Sequence, residues 1–305
     1  MTNRLSINQW SLKTTGCAEF IAAVARAGIE SVGLWRQNIA EIGVPAAARL
    51  IRDHDLRVSS LCRGGFLTAP TRAGRQAALD DNRRAVDEAH TLGTQVLVLV
   101  VGGLAAGQRI AAARARLPQT IAELAEYAAG ARIRLALEPM HPMFAADRAV
   151  ISTLAQALEL AELSGSDSVG VLADSYHIWW DPQAPAGIEQ AGATCGGEFG
   201  QAFVSDQAPA GIEQAGATGR LLGYQVSDWV LPLRSDPVDS RGIPGDGCID
   251  FAELTSAVAR TGYPGDVEVE VFNPDLWALP AGTALRLLRD RFDRLIVPHL
   301  TGQRA

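Results

Sequence analysis

The chain has 305 residues, 48% of them apolar and 20% charged, with a formal net charge of −7. That is the balance of an ordinary globular protein, and it is long enough to bury a large core without disulfides or structural metals, so any metal here is expected to be functional. No Lys/Arg run or stripe accompanies the acidic charge, which argues against nucleic acid, because phosphate binding needs clustered cations. Cys17, Cys62, Cys195 and Cys248 are scattered with no C-x-x-C pair and read as reduced thiols. With no signal-peptide pattern and no run of about 18 apolar residues, a cytoplasmic protein without a membrane partner is expected.

In chain order, a strand is predicted over Leu5–Trp10, then a helix over Glu19–Ala27 closed by Gly28. Strand Ser31–Trp35 precedes helix Pro45–Asp53, which has proline in its first turn. Strand Arg57–Arg63 precedes helix Arg72–Leu92, ending at Gly93. Strand Gln95–Val101 precedes helix Ile110–Ala129, ending at Gly130. Strand Arg134–Glu138 precedes helix Val150–Leu163, ending near Gly165. Strand Val169–Asp174 comes next, then strand Leu221–Asp228 with helix Phe251–Thr261 ending at Gly262, and strand Asp266–Phe272 with helix Ala284–Ile296. Helix, glycine, strand is the usual αβ joint. Several strands, such as Val96–Val101, are apolar on both faces, as parallel strands covered by helices are. Eight alternations predict an α/β fold, a single (β/α)8 TIM barrel over 1–305, in preference to an open doubly wound sheet; such barrels run to about 250 residues plus extras.

One stretch is unusual. Gln183–Thr194 reads QAPAGIEQAGAT, and Gln207–Thr218 repeats the same twelve residues at an offset of 24. Nothing else in the chain repeats, so 183–218 reads as a local duplicated insertion between strands six and seven and not as a solenoid. The second copy leads directly into strand seven, so the first copy, with its glycine-rich spacer, is expected to bulge outward or be poorly ordered.

Barrel chemistry sits at the carboxyl ends of the strands. There stand Glu138 after strand five, Asp174 after strand six, Gln225 on strand seven and Glu270 on strand eight. Three acids set among apolar residues are expensive to bury without counter-charge, and no arginine lies close by in these segments. A divalent cation is the obvious neutraliser; pairing of one or two acids with distant arginines is the plain alternative. Oxygen donors suit a hard ion, Mn²⁺ or Mg²⁺, with Co²⁺ or Zn²⁺ as further alternatives.

The strings LALEPMHP, VLADSYHIWW, GYQVSDW, RGIPGDGCIDF and VEVEVF, in this order, resemble the xylose isomerase-like TIM barrels, a group that includes tagatose epimerases and inosose dehydratases. The resemblance spans about Leu5 to Ile296. It implies a metal held by Glu138, Asp174, the residue at 225 and Glu270. Position 225 is glutamine where the family has histidine, so the identity of the metal is open. The resemblance also implies proton transfer next to a carbonyl or carbinol through an enediolate, with Glu138 and Glu270 flanking the carbon as acid and base. It implies a substrate-oxygen contact for His177 and an arginine over the substrate for Arg241, which would otherwise form a loop salt bridge with Asp236 or Asp239.

His141, between two prolines, is a candidate proton carrier near neutral pH, with a structural hydrogen bond as the alternative. The six tryptophans all fall at or after strand ends; Trp10, Trp35 and Trp180 are candidate sugar-stacking faces, or simply pack the barrel-top loops. The leading expectation is a metal-dependent isomerase or epimerase with a small-molecule sugar or polyol substrate. The rivals are a lyase on the same site, either an inosose-type dehydratase or an enzyme cleaving C-glycosides or 3-keto-glycosides, and a non-catalytic sugar-binding barrel. Assembly as a homo-oligomer is left open, since no interface signature is visible.

Overall fold

The computed structural model describes residues 4–193, 219–234 and 236–300. Eight parallel strands close on themselves: β1 (Leu5–Asn8), β2 (Ser31–Trp35), β3 (Arg57–Gly65), β4 (Val96–Val100), β5 (Arg134–Leu137), β6 (Val169–Asp174), β7 (Leu221–Val226) and β10 (Val267–Val269). Closure comes from β1, which pairs with both β2 and β10. In the connection from β7 to β10, β8 (Asp228–Trp229) and β9 (Arg241–Gly242) form a separate antiparallel ribbon. The expected single-domain (β/α)8 barrel is therefore observed.

Strand parity decides what the barrel encloses, because successive side chains face opposite ways. Leu97 and Leu99 belong to the large layer between strands and helices. Val98 instead joins Trp35, Cys62, Ala136, Leu172, Leu222 and Phe272 in a smaller cluster, the barrel interior. Stepping by two from these residues turns Ser60, Glu138, Asp174, Glu268 and Glu270 inward. Gln225 is level with Asp174 on one side and with Glu268 on the other. The acidic positions thus share the lumen near the carboxyl ends of β5, β6 and β10.

The helices cover the outside. Gly28, Gly93, Gly165 and Gly262 follow helices with φ of 67, 80, 67 and 71°, the left-handed conformation that ends a helix without Cβ strain. The helix predicted over 110–129 is two helices, Ile110–Arg114 and Leu117–Gly130. Pro118 explains the break: it lacks an N–H and its ring crowds the carbonyl four residues back, that of Arg114. The left-handed residue after this pair is Arg132, not Gly130.

The first repeat copy does not bulge outward. Ala184–Ala193 is a helix of the outer ring, burying Ala184, Gly187, Ile188 and Ala191. It packs against the helices Leu154–Leu163 and Phe251–Arg260, and a Cβ on Gly192 would lie 2.3 Å from Thr261 Cβ. The Arg220 N–H then donates to the Ala191 carbonyl at 2.6 Å. The expectation failed because two identical sequences fit one helical berth equally well, and spacing does not choose between them. The second copy, 207–218, lies outside the described residues, as does Cys195.

Cys17, Cys62 and Cys248 are free thiols. Among the described residues no helix is long and apolar enough to cross a membrane.

Candidate active site

Asp174 ends β6 and caps the short helix Ser175–Ile178, its Oδ1 accepting the Tyr176 N–H at 2.9 Å. That turn carries His177 back over the lumen. Glu138 follows β5 directly and Glu270 follows β10; both are buried, at 5% and 3% exposed.

The loop between β7 and β10 delivers the fourth charged group. Asp228 holds the loop, accepting the N–H groups of Gly245 at 2.9 Å, Gly247 at 2.8 Å and Ile249 at 3.0 Å. The ribbon of β8 and β9 then sends Arg241 inward, between the rings of Tyr176 and Phe272. Its Nη1 donates to Asp174 Oδ2 at 2.6 Å and lies 3.0 Å from Glu270 Oε2. Arg241 therefore pairs with neither Asp236 nor Asp239; it is the distant arginine of the plain alternative, paired with two of the three acids, Asp174 and Glu270. Tertiary folding brings in a guanidinium from 67 residues beyond Asp174.

One guanidinium does not neutralise three carboxylates. Burial raises the Glu138 pKa to about 8, with the charge of Asp174 adding to the shift while Arg241 and Arg63 oppose it. Burial also raises Glu270 and Asp174, again against Arg241. Burial works against the Arg241 charge, but Asp174, Glu270 and Glu138 more than offset it.

His177 is neutral, its pKa lowered first by burial and then by the Arg241 charge. Its Nδ1 faces the backbone N–H of His141 at 3.3 Å. A backbone N–H only donates, and so does the Arg241 guanidinium, whose Nη2 lies 3.1 Å from Nε2; the neutral ring has one acceptor nitrogen, so it accepts from one of these two donors at a time. Nε2 lies 3.6 Å from Glu138 Oε1 and 3.8 Å from Asp174 Oδ2.

Beneath these groups lies a fourth carboxylate. Glu268 Oε1 accepts from Asn8 Nδ2 at 2.5 Å and Gln225 Nε2 at 2.9 Å; Oε2 accepts from Ser59 at 2.7 Å and Ser60 at 2.8 Å. Gly33 makes room for it, since a Cβ there would stand 2.2 Å from Oε1. Asn8 Oδ1 in turn accepts the Trp35 indole N–H at 2.8 Å and the Trp10 N–H at 2.9 Å. Both are obligate donors, so the orientation of Asn8 is determined. Gln225 must likewise turn its NH₂ to Glu268, which leaves Gln225 Oε1 buried with no hydrogen-bond partner.

These features fit a hard divalent cation. When all three are ionised, Glu138, Asp174 and Glu270 leave two negative charges beyond Arg241, which a divalent cation would balance. An orphaned buried amide oxygen adds a neutral donor. Glu138, Asp174 and His177 form one group with ligand atoms within 4.8 Å of one another, and Cys62, Glu268 and Glu270 form another. Glu270 thus stands apart from the Glu138–Asp174 group, with Arg241 between them.

The cavity over this cluster is lined by Trp35, Phe144, His177, Arg241 and Phe272 among others. Trp10 stands behind Trp35, ring centroids 4.6 Å apart. Trp10 therefore does not reach the cavity wall, and two further expected contacts, His141 and Trp180, do not either. The His141 ring packs on Trp229 at 4.7 Å, and only its backbone N–H touches His177. Trp180 donates its indole N–H to the His177 carbonyl at 2.9 Å. Both support His177 from behind. Sequence reasoning missed Glu268, Asp228, Arg63 and Arg148. Parity would have found Glu268, two residues before Glu270; nothing in the sequence marks Arg63 or Arg148.

A crystal structure of protein SMc04130 from Sinorhizobium meliloti 1021 is 37% identical, with a TM-score of 0.85 over 97% of this chain and 99% of that one. An inosose isomerase of Halalkalibacterium halodurans is 24% identical over 182 residues, 59% of this chain and 54% of that protein, so the match spans about half of the relative's length. The IOLI protein, whose crystal structure has a binding zinc atom, shares the fold at 18% identity, with a TM-score of 0.79 over 98% of this chain and 100% of that one. The model of the xylose isomerase-like TIM barrel family matches residues 21–291, and the chain belongs to that family.

Proposed function

We propose that this protein is a divalent-metal-dependent isomerase or epimerase that moves a proton next to the carbonyl of a sugar or polyol ketone. The observation that carries the reading is the lumen cluster itself: three buried carboxylates, a neutral imidazole and one guanidinium under an aromatic-lined cavity. The inosose isomerase likeness supports the same reaction class.

Glu138, Asp174, Gln225 Oε1 and Glu270 would hold the cation, an all-oxygen set suited to Mn²⁺ or Mg²⁺. When bound, it would offset negative charge developing on two neighbouring substrate oxygens.

The chain's own groups supply the proton chemistry. Epimerisation or isomerisation needs one ionised and one protonated carboxyl. Arg241 Nη1, 3.0 Å from Glu270, favours the ionised form there. Glu138 has no Lys or Arg within ion-pair distance among the described residues, and burial raises its pKa to about 8 in the metal-free protein, so it is assigned the proton-returning role; a bound cation would oppose that shift. Glu270 then takes the proton from carbon and Glu138 returns one. His177, which lines the cavity, contacts a substrate oxygen. Trp35, Phe144 and Phe272 exclude water, which strengthens each of these interactions.

The test is solvent exchange. The metal-loaded protein is incubated with ketoses and polyol ketones in D₂O, and deuterium at carbon is followed by NMR. Label should enter one carbon, and Glu138→Gln and Glu270→Gln should each abolish it with the fold intact. No label with any substrate rejects the proposal. Loss of water or an aglycone alongside exchange assigns a lyase instead.

A further inference from the structure

We infer that the substrate has an anionic end, a carboxylate or phosphate, held by Arg63 and Arg148; the sugar-isomerase reading above supplies only the position of the reacting end. Arg63 lies on β3, and Arg148 lies in the connection after β5. Both line the same cavity as Glu138, His177 and Arg241.

The proposed function uses neither arginine, and the protein gives neither an adequate counter-charge. The Arg63 guanidinium rests on the Phe66 ring at 4.3 Å, with Trp35 at 5.9 Å. Among the described residues it has no hydrogen-bond or ion-pair partner, so aromatic faces hold its plane and leave its N–H edge open. Arg148 Nε, buried, lies 3.6 Å from Oδ2 of its exposed neighbour Asp147, an ion-pair contact too long for a hydrogen bond. Arg36 shows how this chain treats an arginine of purely structural use: its guanidinium is spent on Glu88 at 2.6 Å and Asp81 at 3.0 Å.

Holding the pair together has a cost. Burial lowers the Arg63 pKa, and the charge of Arg148 lowers it further. Two like charges that repel in a partly dry cavity, with no acid bridging them, are compensated when an anion arrives between them. Planar forks suit that task, because guanidinium N–H pairs match the oxygens of carboxylate and phosphate.

Placement around the barrel gives the polarity. Arg63 and Arg148 stand on the β3–β5 side and Asp174, Arg241 and Glu270 on the β6–β10 side, with Glu138, at the end of β5, between the two groups. An anionic group is repelled by the acids and drawn to the arginines, which directs the other end of a short sugar to the Glu138–Glu270 pair.

The experiment compares D-fructose, D-fructose 6-phosphate and D-fructuronate in the D₂O exchange assay, with calorimetric titration of inorganic phosphate and gluconate. Variants are Arg63→Gln, Arg63→Lys and Arg148→Gln, each checked for folding by circular dichroism. Exchange should be fastest with one of the anionic sugars, which also separates phosphate from carboxylate. Arg63→Gln should raise KM for that sugar at least about tenfold with kcat within about twofold, and leave D-fructose unchanged. Arg63→Lys should fall between, since it keeps charge and loses the fork. Fastest exchange with D-fructose, unmoved by Arg63→Gln, overturns the anion site and leaves the isomerase standing. A fall in turnover on D-fructose itself also overturns it, by making Arg63 a partner of Glu138. No exchange with any sugar, with anion binding lost in Arg63→Gln, rejects the isomerase reading and keeps the anion site. Equal anion binding in wild type and Arg63→Gln rejects the anion site outright.

Discussion

Glu268 accepts the Gln225 amide N–H at 2.9 Å and thereby turns the amide oxygen of Gln225 away from itself, buried and unpartnered. An imidazole at 225 could donate one ring N–H to the same carboxylate and leave its other nitrogen free. A histidine could therefore take the place of Gln225 above Glu268. Gln225→His should hold Mn²⁺ as tightly as the parent or more tightly. Glu268→Ala frees the amide to rotate and should weaken Mn²⁺ by about 10–100-fold, the usual effect of losing such a support. Calorimetric titration of Mn²⁺ decides it. Unchanged affinity in both Glu268→Ala and Gln225→Ala would remove Gln225 from the ligand set.

The raised pKa of Glu138 is also a statement about stability. The folded protein keeps a proton that the unfolded chain has already released between the ordinary carboxylate range and about pH 8. Stability of the chelated protein must then fall as pH rises through that window, by an amount on the order of a few kcal/mol. Its melting temperature in EDTA should be higher at pH 5.5 than at pH 8.5. Glu138→Gln should flatten the slope, and Mn²⁺ should restore stability at pH 8.5. A melting temperature that climbs with pH over this range would contradict the assignment.

Arg241 is the chain's own cation for Asp174 and Glu270. Removing one partner of a buried pair costs about 3–5 kcal/mol, because the other charge is left uncompensated. Arg241→Met in EDTA should therefore melt roughly 5–15 °C lower. Adding Asp174→Asn should recover part of that loss. If Arg241→Met melts with the parent, the ion pair is not what holds the β7–β10 loop over the site.

Deletion of one 24-residue unit should be tolerated. Removing 195–218 or 183–206 yields the same shortened chain, because the copies are identical. Ala193 ends the ring helix, and a Cβ on Gly219 would lie 2.3 Å from the Gly192 carbonyl, so the flanking ends already meet. The shortened protein should melt within a few degrees of the parent, since loop length adds only about 0.6 kcal/mol per doubling. Failure of the shortened chain to fold would show that one copy does not complete the barrel.

The alternation of doubly apolar runs such as Val96–Val100 with glycine-ended helices was enough to determine the barrel, because parallel strands must be covered on both faces. The same local signals located Glu138, Asp174 and Glu270, since acids at strand ends stand out against apolar neighbours. They did not show that Arg241 crosses to Asp174 and Glu270, that Glu268 orients Gln225, or that Arg63 and Arg148 share a cavity. Each of those relations joins residues far apart in the chain, and a window along the sequence carries no information about them. The duplication marks the boundary most sharply: twelve identical residues have identical propensities, and only packing against Leu154, Thr261 and Arg220 put the first copy in the ring.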